Sequence, residues 1–249
     1  MHKIISPYQS TFIPSRWIAE NQVLVHELLH SFKTRKVKSS FMEIKLDLQK
    51  AYDRFNWKFI LVVLTKLGFN YVFINWILTC ISSLSFEVLV NEGKSDQFKP
   101  SRGLGQDDPL SSYLFILGQD ILSKMLDKKL CVGNISSAKA NSRGPALMHV
   151  MYMDDIVLFS KATRKDAKRL ALCLEKYCKW SGQAINRGKS SILFSKHTGP
   201  NCRKVIKQHI HMKSLKKDSV YFGSPLFRTR SPSKDFKFLQ ERLETKLLG

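Results

Sequence analysis

The stretch F-M-E-I-K-L-D (residues 41–47) puts Met42, Ile44 and Leu46 on one side of an extended chain and Glu43, Lys45 and Asp47 on the other. That period of two predicts a β-strand with one apolar face, ending at Asp47. Further on, A-L-M-H-V-M-Y (146–152) and I-V-L-F (156–159) are short apolar runs on either side of Met153-Asp154-Asp155. The chain is therefore expected to double back there and expose two carboxylates at the tip. Between these strands, a helix is expected from about residue 50 to 67, rich in Phe55, Phe59 and Val63 and stopped by Gly68, and a second from 71 to 83. The run 86–90 has strand composition and turns at 91–94 toward Phe98. Asp107 or Asp108 can cap a helix beginning at Pro109, where Leu110, Leu114, Leu117, Ile121 and Met125 recur at helical spacing. A polar loop (133–144), a charged helix (164–180) and a strand (191–194) complete the pattern. Strands and helices around one hairpin predict an α+β fold, an antiparallel sheet with helices on one face.

The chain has 249 residues, 43 % of them hydrophobic, enough to bury the core of one large domain or two small ones, which argues against intrinsic disorder. Forty-one Lys and Arg face 20 Asp and Glu, a net charge of +21, which suits a polyanionic partner better than a neutral metabolite. Residues 1–160 hold 19 basic and 14 acidic side chains, and residues 161–249 hold 22 and 6, so the surplus belongs to the C-terminal part. A merely solvated lysine-rich face is the plainer alternative, and an anionic membrane surface a third. Five cysteines without a C-x-x-C give neither a disulfide framework nor a zinc site, consistent with a reducing compartment. The most apolar stretch, 71–84, is broken by Asn75 and ends in Ser82-Ser83, too short and polar to span a bilayer. No secretory core precedes Pro7. A soluble intracellular protein of the nucleus or cytoplasm, without a membrane partner, is expected.

If the strand ending at Asp47 neighbours the hairpin, Asp47, Asp154 and Asp155 meet. Carboxylates held a few ångströms apart repel, and one takes up a proton unless a divalent cation neutralises the cluster. Magnesium is the economical ion, with manganese as the alternative. Two such ions can activate a 3′-hydroxyl, brace the α-phosphate during in-line displacement and stabilise departing pyrophosphate. Singly, these aspartates are more often turn chemistry, and only their combination favours catalysis. Gly188-Lys189-Ser190 ends like a phosphate-binding loop, but Gln183 stands where the first glycine is required and a helix, not a strand, precedes it.

Five stretches carry a resemblance in the right order: I-K-L-D-L-Q-K-A-Y-D-R-F-N-W (44–57), R-G-L-G-Q-D-D-P-L-S-S-Y-L-F (102–115), Y-M-D-D (152–155), S-G-Q-A-I-N-R-G-K-S (181–190) and Y-F-G-S-P-L-F (221–227). They resemble the motif series of reverse transcriptases from non-LTR, LINE-type retrotransposons, especially plant ones. The opening I-S-P-Y-Q-S-T-F-I-P-S-R (5–16) is similar to that family's finger-region motif. The resemblance implies a right-hand polymerase palm over 41–195, part of the fingers over 1–40, and a basic end over 196–249 leading toward a thumb. The thumb and the upstream endonuclease would lie outside this chain, which looks like a fragment. It implies an RNA-directed DNA polymerase that adds dNTPs to a DNA primer on an RNA template. By the same resemblance, Asp47, Asp154 and Asp155 hold the metal ions, with the Leu48 carbonyl as a further ligand. Tyr52 would stand against the sugar of the incoming nucleotide and exclude a 2′-hydroxyl, its alternative being a core aromatic. Gln106 would lie near the nascent base pair and Arg102 and Arg16 near phosphates, where the guanidinium fork makes bidentate bonds. Lys189 would protonate pyrophosphate, or else be a solvated lysine.

Gly105, Asp107 and Ser112 replace the family's basic residue, glycine and second proline. A carboxylate at 107 adds bulk and repulsion toward phosphate. Ser15 replaces the glycine of the finger motif, and Tyr152-Met153 stands where LINE-type enzymes more often have Phe-Ala. These departures carry a second expectation, a degenerate retroelement remnant that retains only nucleic-acid binding.

Overall fold

Strand β1 (Phe41–Leu46) lies in the middle of a five-stranded sheet of order β6-β7-β1-β8-β9, comprising β6 (His149–Tyr152), β7 (Asp155–Lys161), β8 (Ser191–Phe194) and β9 (Lys213–Ser214). Every pairing is antiparallel except β8 with β9. The computed structural model describes all residues except 1–3, 35–39, 92, 107, 140–143, 145, 216–218, 222–223, 227–231 and 249. The expected hairpin forms β6 and β7, joined by Met153 and Asp154, and the expected α+β class is what the chain adopts.

The alternation of β1 sorts the molecule into two cores. Met42, Ile44 and Leu46 point with Met151, Ile156 and Leu158 into the larger core. That core is covered by α2 (Trp57–Lys66), α3 (Tyr71–Ser82), α4 (Pro109–Cys131), α5 (Arg164–Ser181) and α6 (Pro200–Ile210). On the opposite face Phe41, Val157 and Phe159 pack against Val25, Leu28 and Phe32 of α1 (Ile18–Thr34). The helical layer is thus the one expected, and α1 is an addition to it on the other face. Tyr221 joins the smaller core from a short hairpin of β10 (Val220–Tyr221) and β11 (Ser224–Pro225), and α7 (Pro232–Leu248) follows. Phe222, Gly223 and Phe227 of the last motif lie outside the described residues.

Asparagine and aspartate side chains start the helices where the sequence offers them. Asn56, Asn70 and Asp108 cap α2, α3 and α4 by accepting from backbone N–H groups of the first turn. Of the two candidate caps for α4, Asp108 is the one used, and Asp107 lies outside the described residues. The helix expected from residue 50 begins only at Trp57. Lys50 has a left-handed φ of 45°, and residues 49–56 instead bond across the molecule. The Gln49 N–H donates to Ala184 O, the Asn56 N–H to Ser181 O, and the Gly103 N–H to Phe55 O. The strand expected over 86–90 shrinks to β2 (Leu89–Val90), paired with β3 (Gly93–Lys94), with Phe86 bridged to Phe98. The polar loop expected over 133–144 contains β4 (Ala138–Lys139), which pairs with β5 (Ala146–Leu147).

Gly118 sets how closely α4 meets the turn before α2, because a Cβ there would stand 2.4 Å from the Phe55 ring. Gly118→Ala is expected to lower stability by about 1–3 kcal/mol through overpacking, read as a lower thermal midpoint. An unchanged midpoint would mean that the ring swings aside freely. Glu43 carries a second expectation. It points into the smaller-core face at 1 % exposure, and neither carboxyl oxygen has a hydrogen-bond partner among the described residues. Burial pushes its pKa up to about 8, against a smaller opposing pull from Lys45. The folded protein keeps this proton to about pH 8 while the unfolded chain releases it near 4.5, so stability is full below that value and falls as the pH rises to 8. Glu43→Gln is expected to flatten the fall of the melting temperature between pH 5 and 8. A variant with the wild-type slope would place the titration elsewhere.

Candidate active site

The register of β1 against β7 pairs Leu46 with Ile156. Asp47 is therefore one step beyond the strand end and across from Asp155, at the roughly 5 Å between Cα atoms of opposed antiparallel residues. Both belong to the face that bears Lys45. Asp154 occupies the turn between Tyr152 and Asp155, which pair with each other. The other turn residue, Met153, has a φ of 51°. Its backbone N–H donates to Thr11 Oγ1 at 2.7 Å, and the Tyr52 hydroxyl meets its Sδ at 4.0 Å.

Burial raises the pKa of Asp155, Lys45 opposes that rise, and the charges of Asp154 and Asp47 add to it. The charges of Asp47 and Asp154 thus both reach Asp155. Among the described residues, however, no three His, Cys, Asp or Glu side chains gather around one point in the manner of a closed ion cage. The arrangement is an open row of oxygen donors at the ends of neighbouring strands. Its backbone is held from the other side: Asp47 N–H donates to Ser190 Oγ at 3.0 Å, and Asp47 O accepts from Asn186 N–H at 2.8 Å. Leu48 bridges Ile185 through the bonds of its neighbours, a pattern in which its own carbonyl points away from the 184–186 strand.

Beside this row is a cleft of about 520 Å³, lined by Phe12, Tyr52, Gln106, Asp108, Ser112 and Met153. The Tyr52 ring stacks on Phe115 with centroids 4.8 Å apart and planes at 6°, and its hydroxyl lies 3.3 Å from Ser112 Oγ. Tyr52 therefore has one ring face in the core and its hydroxyl edge at the cleft. Gln106 is exposed on the cleft wall. The Asp108 carboxylate accepts from the N–H groups of Leu110 and Ser111 and from the Ser111 hydroxyl, and the hydroxyl bond is the main reason its pKa is lowered.

Arg102 is exposed, next to Gly103 at the end of the segment bonded to Phe55. Lys189 is exposed in a turn whose next residue, Ser190, holds Asp47. Arg16 is turned toward the loop that carries it. Its Nη1 donates to the carbonyls of Ser6 and Gln9 at 2.5 Å each, and its Nη2 to Ile5 O at 3.3 Å, so the guanidinium holds its own loop together. Sequence reasoning missed Thr11, Ser190 and Phe12, which act through backbone contacts or shape that no local spacing announces. It also set Glu43 on the polar face of β1 without foreseeing its burial.

Residues 1–240 match the family model for reverse transcriptase (RNA-dependent DNA polymerase). The chain is 29 % identical over 191 residues to the transposon TX1 uncharacterized 149 kDa protein of Xenopus laevis, covering 76 % of this chain and 14 % of that protein. It is 30 % identical over 159 residues to the Pol polyprotein from the type-2 retrotransposable element R2DM of Drosophila melanogaster, covering 62 % of this chain and again 14 % of the relative. The chain therefore spans about one-seventh of the length of these two relatives. Among solved structures, telomerase from Candida albicans superposes with a TM-score of 0.56 at 14 % identity, over 78 % of this chain and 33 % of that one. Telomerase from Candida tropicalis gives 0.52 at 17 % identity, over 94 % and 37 %. The structural likeness establishes the polymerase palm with part of the fingers, and the sequence match, running through all the motifs around the carboxylate row, places the chain in the reverse transcriptase family, on its non-LTR retrotransposon branch.

Proposed function

We propose that this chain performs RNA-templated DNA synthesis, joining the α-phosphorus of a dNTP to a primer 3′-oxygen with release of pyrophosphate. The observation that carries the reading is the cross-strand placement of Asp47 against Asp155, with Asp154 in the adjoining turn, at the mouth of a cleft walled by Tyr52, Gln106 and Met153. The donor set fits a hard divalent cation: the oxygens are carboxylates, and the proton affinity of Asp155, raised by burial and by its neighbours, marks a cluster short of positive charge. Asp47, Asp154 and Asp155 would hold magnesium or manganese, with the Leu48 carbonyl beside them. When bound, the metal supplies Lewis-acid charge that polarises the 3′-hydroxyl and offsets charge on the phosphates.

The chain's own residues do the positioning. Tyr52, clamped by Phe115 and Ser112, presents a fixed edge to the nucleotide sugar, and the space it fills is the space a 2′-hydroxyl would need. Gln106 borders the nascent base pair, Arg102 attracts backbone phosphate, and Lys189 offers a proton to leaving pyrophosphate. Arg16 acts at one remove, by shaping the loop that carries Thr11 and Phe12. RNA template and DNA primer are the partners, in the nucleus or cytoplasm. No helix among the described residues is long and apolar enough to cross a membrane.

Asp154→Asn and Asp155→Asn are each expected to cut primer extension on an RNA template, in magnesium or manganese, by at least about 100-fold with the thermal midpoint kept. Extension within tenfold of wild type in either variant would remove that carboxylate from the mechanism. Tyr52→Ala is expected to shift the ratio of kcat/KM for dNTP over rNTP toward ribonucleotides by roughly tenfold or more. A uniform loss with the ratio unchanged would confine Tyr52 to packing on Phe115.

A further inference from the structure

Helices α4 and α5 lie side by side on the sheet face turned away from the carboxylates, and between them runs a cleft of about 700 Å³. Lys128 and Lys129 line it from α4, and Arg169 and Lys176 from α5, with no Asp or Glu among its lining residues. None of the four cations makes an ion pair among the described residues. Arg169 is held in place by donating to Asn134 O. Trp180 closes one end, 45 % exposed, with the Lys176 ammonium 4.7 Å from its ring centroid. The same tryptophan borders a second groove of about 430 Å³, in which Phe59 and Val62 form an apolar floor and Lys58 and Lys66 flank them. A basic trough, an exposed indole and an apolar groove with cationic flanks thus follow one another across the back of the molecule. From Ser112 at the catalytic cleft to Lys129 is 17 residues of one helix, about 25 Å at 1.5 Å per residue, so this is a separate surface.

We propose that this path binds single-stranded RNA, with phosphates along the Lys128, Lys129, Arg169 and Lys176 trough and an unstacked base against Trp180. Arg169 lies within reach of the Asp166 charge, while Lys128, Lys129 and Lys176 form no ion pair among the described residues and no carboxylate lines the trough. Such a cationic surface matches a phosphate backbone, and an exposed aromatic ring beside it is the platform on which single strands stack. A duplex hides its base faces and cannot stack one on the indole. The existence of the site stands on this geometry alone. The choice of RNA over DNA rests on the proposed RNA-templated synthesis, in which template not yet copied is the single strand at hand.

The test uses the full chain and a 30-nucleotide single-stranded RNA carrying 4-thiouridine. Irradiation is expected to give adducts within residues 125–134 and 169–180, and Trp180→Ala is expected to remove those in the second segment and weaken binding severalfold. The triple variant Lys128→Gln, Lys129→Gln, Lys176→Gln is expected to bind the RNA about tenfold more weakly near 0.1 M salt and to flatten the slope of log K against log salt by about 2. Melting temperature and extension of a pre-annealed primer on a template with a short overhang should both stay at wild-type values. Adducts confined to the segments around the catalytic cleft, or a triple variant with wild-type affinity and slope, would overturn the proposal. So would loss of affinity in the triple variant with Trp180→Ala unchanged, which is the behaviour of a bare polycation. Equal affinity and adducts for single-stranded DNA of the same sequence would overturn the assignment to RNA. Because crosslinking needs no turnover, a chain that binds here but fails to extend a primer contradicts the proposed synthesis and not this site.

Discussion

The hydrogen-bond register between β1 and β7 is the constraint on which the site depends. Side chains alternate along a strand, so a slip of one residue would turn Asp47 toward the larger core and bring Leu46 to the edge where nucleotide chemistry is proposed. Three features oppose such a slip. Met42, Ile44 and Leu46 are fully buried against helices. β8 pairs β1 along its other edge with its own fixed partners, Met42 to Phe194 and Lys45 to Ser191. The turn at Met153 and Asp154 leaves no slack between β6 and β7, since Tyr152 and Asp155 are already opposite each other.

That register brings carboxylates together at a cost, and the rest of the face is arranged around it. Lys45, on the same strand and side as Asp47, pulls the pKa of both Asp155 and Glu43 down against their burial. Its ammonium also lies 6.0 Å from the ring centroid of Tyr221, which the chain brings back from its C-terminal part to cover the smaller core. Charge neutralisation here is local and incomplete: one lysine serves a buried acid, Glu43, and a half-buried one, Asp155. A cationic ligand at the open carboxylate row therefore meets an electrostatic demand that the protein has not satisfied itself.

The parts of this arrangement legible in the sequence were those with short-range signatures. Alternation from Met42 to Leu46 and across the 146–159 hairpin fixes strand identity, face and turn, and Pro109 after Asp108 marks a helix start. The start of α2 was misplaced because apolar spacing from Ala51 to Phe55 suits a helix, whereas bonds with Gly103 and Leu104 and with residues 181–184 hold that stretch as a turn, and those partners are distant in sequence. α1 did carry its own signal in Val25, Leu28, Leu29 and Phe32, spaced for one helical face and buried accordingly, outside the stretch the motifs drew attention to. The loop contacts of Arg16 were not legible for a general reason. An arginine in a motif announces its charge but not its acceptors, and here backbone carbonyls of its own loop compete with any phosphate.

Backbone strain follows the same map. Six non-glycine residues have positive φ among the described residues, and four of them, Phe12, Ser15, Lys50 and Met153, line the cleft beside the carboxylates or stand in the segments that build it. Each costs on the order of 1 kcal/mol or more and persists only where its surroundings over-determine it. Here they do: Met153 is bonded through Thr11, the loop bearing Phe12 and Ser15 is gathered by Arg16, and the turn bearing Lys50 is bonded to Ala184 through Gln49 and to Gly182 through Arg54. Ser15, at 64°, occupies the left-handed region, so it carries a conformational cost that a glycine at this position would avoid. The two cores hold these segments in place, and the strain is concentrated where a nucleotide would need walls that do not move.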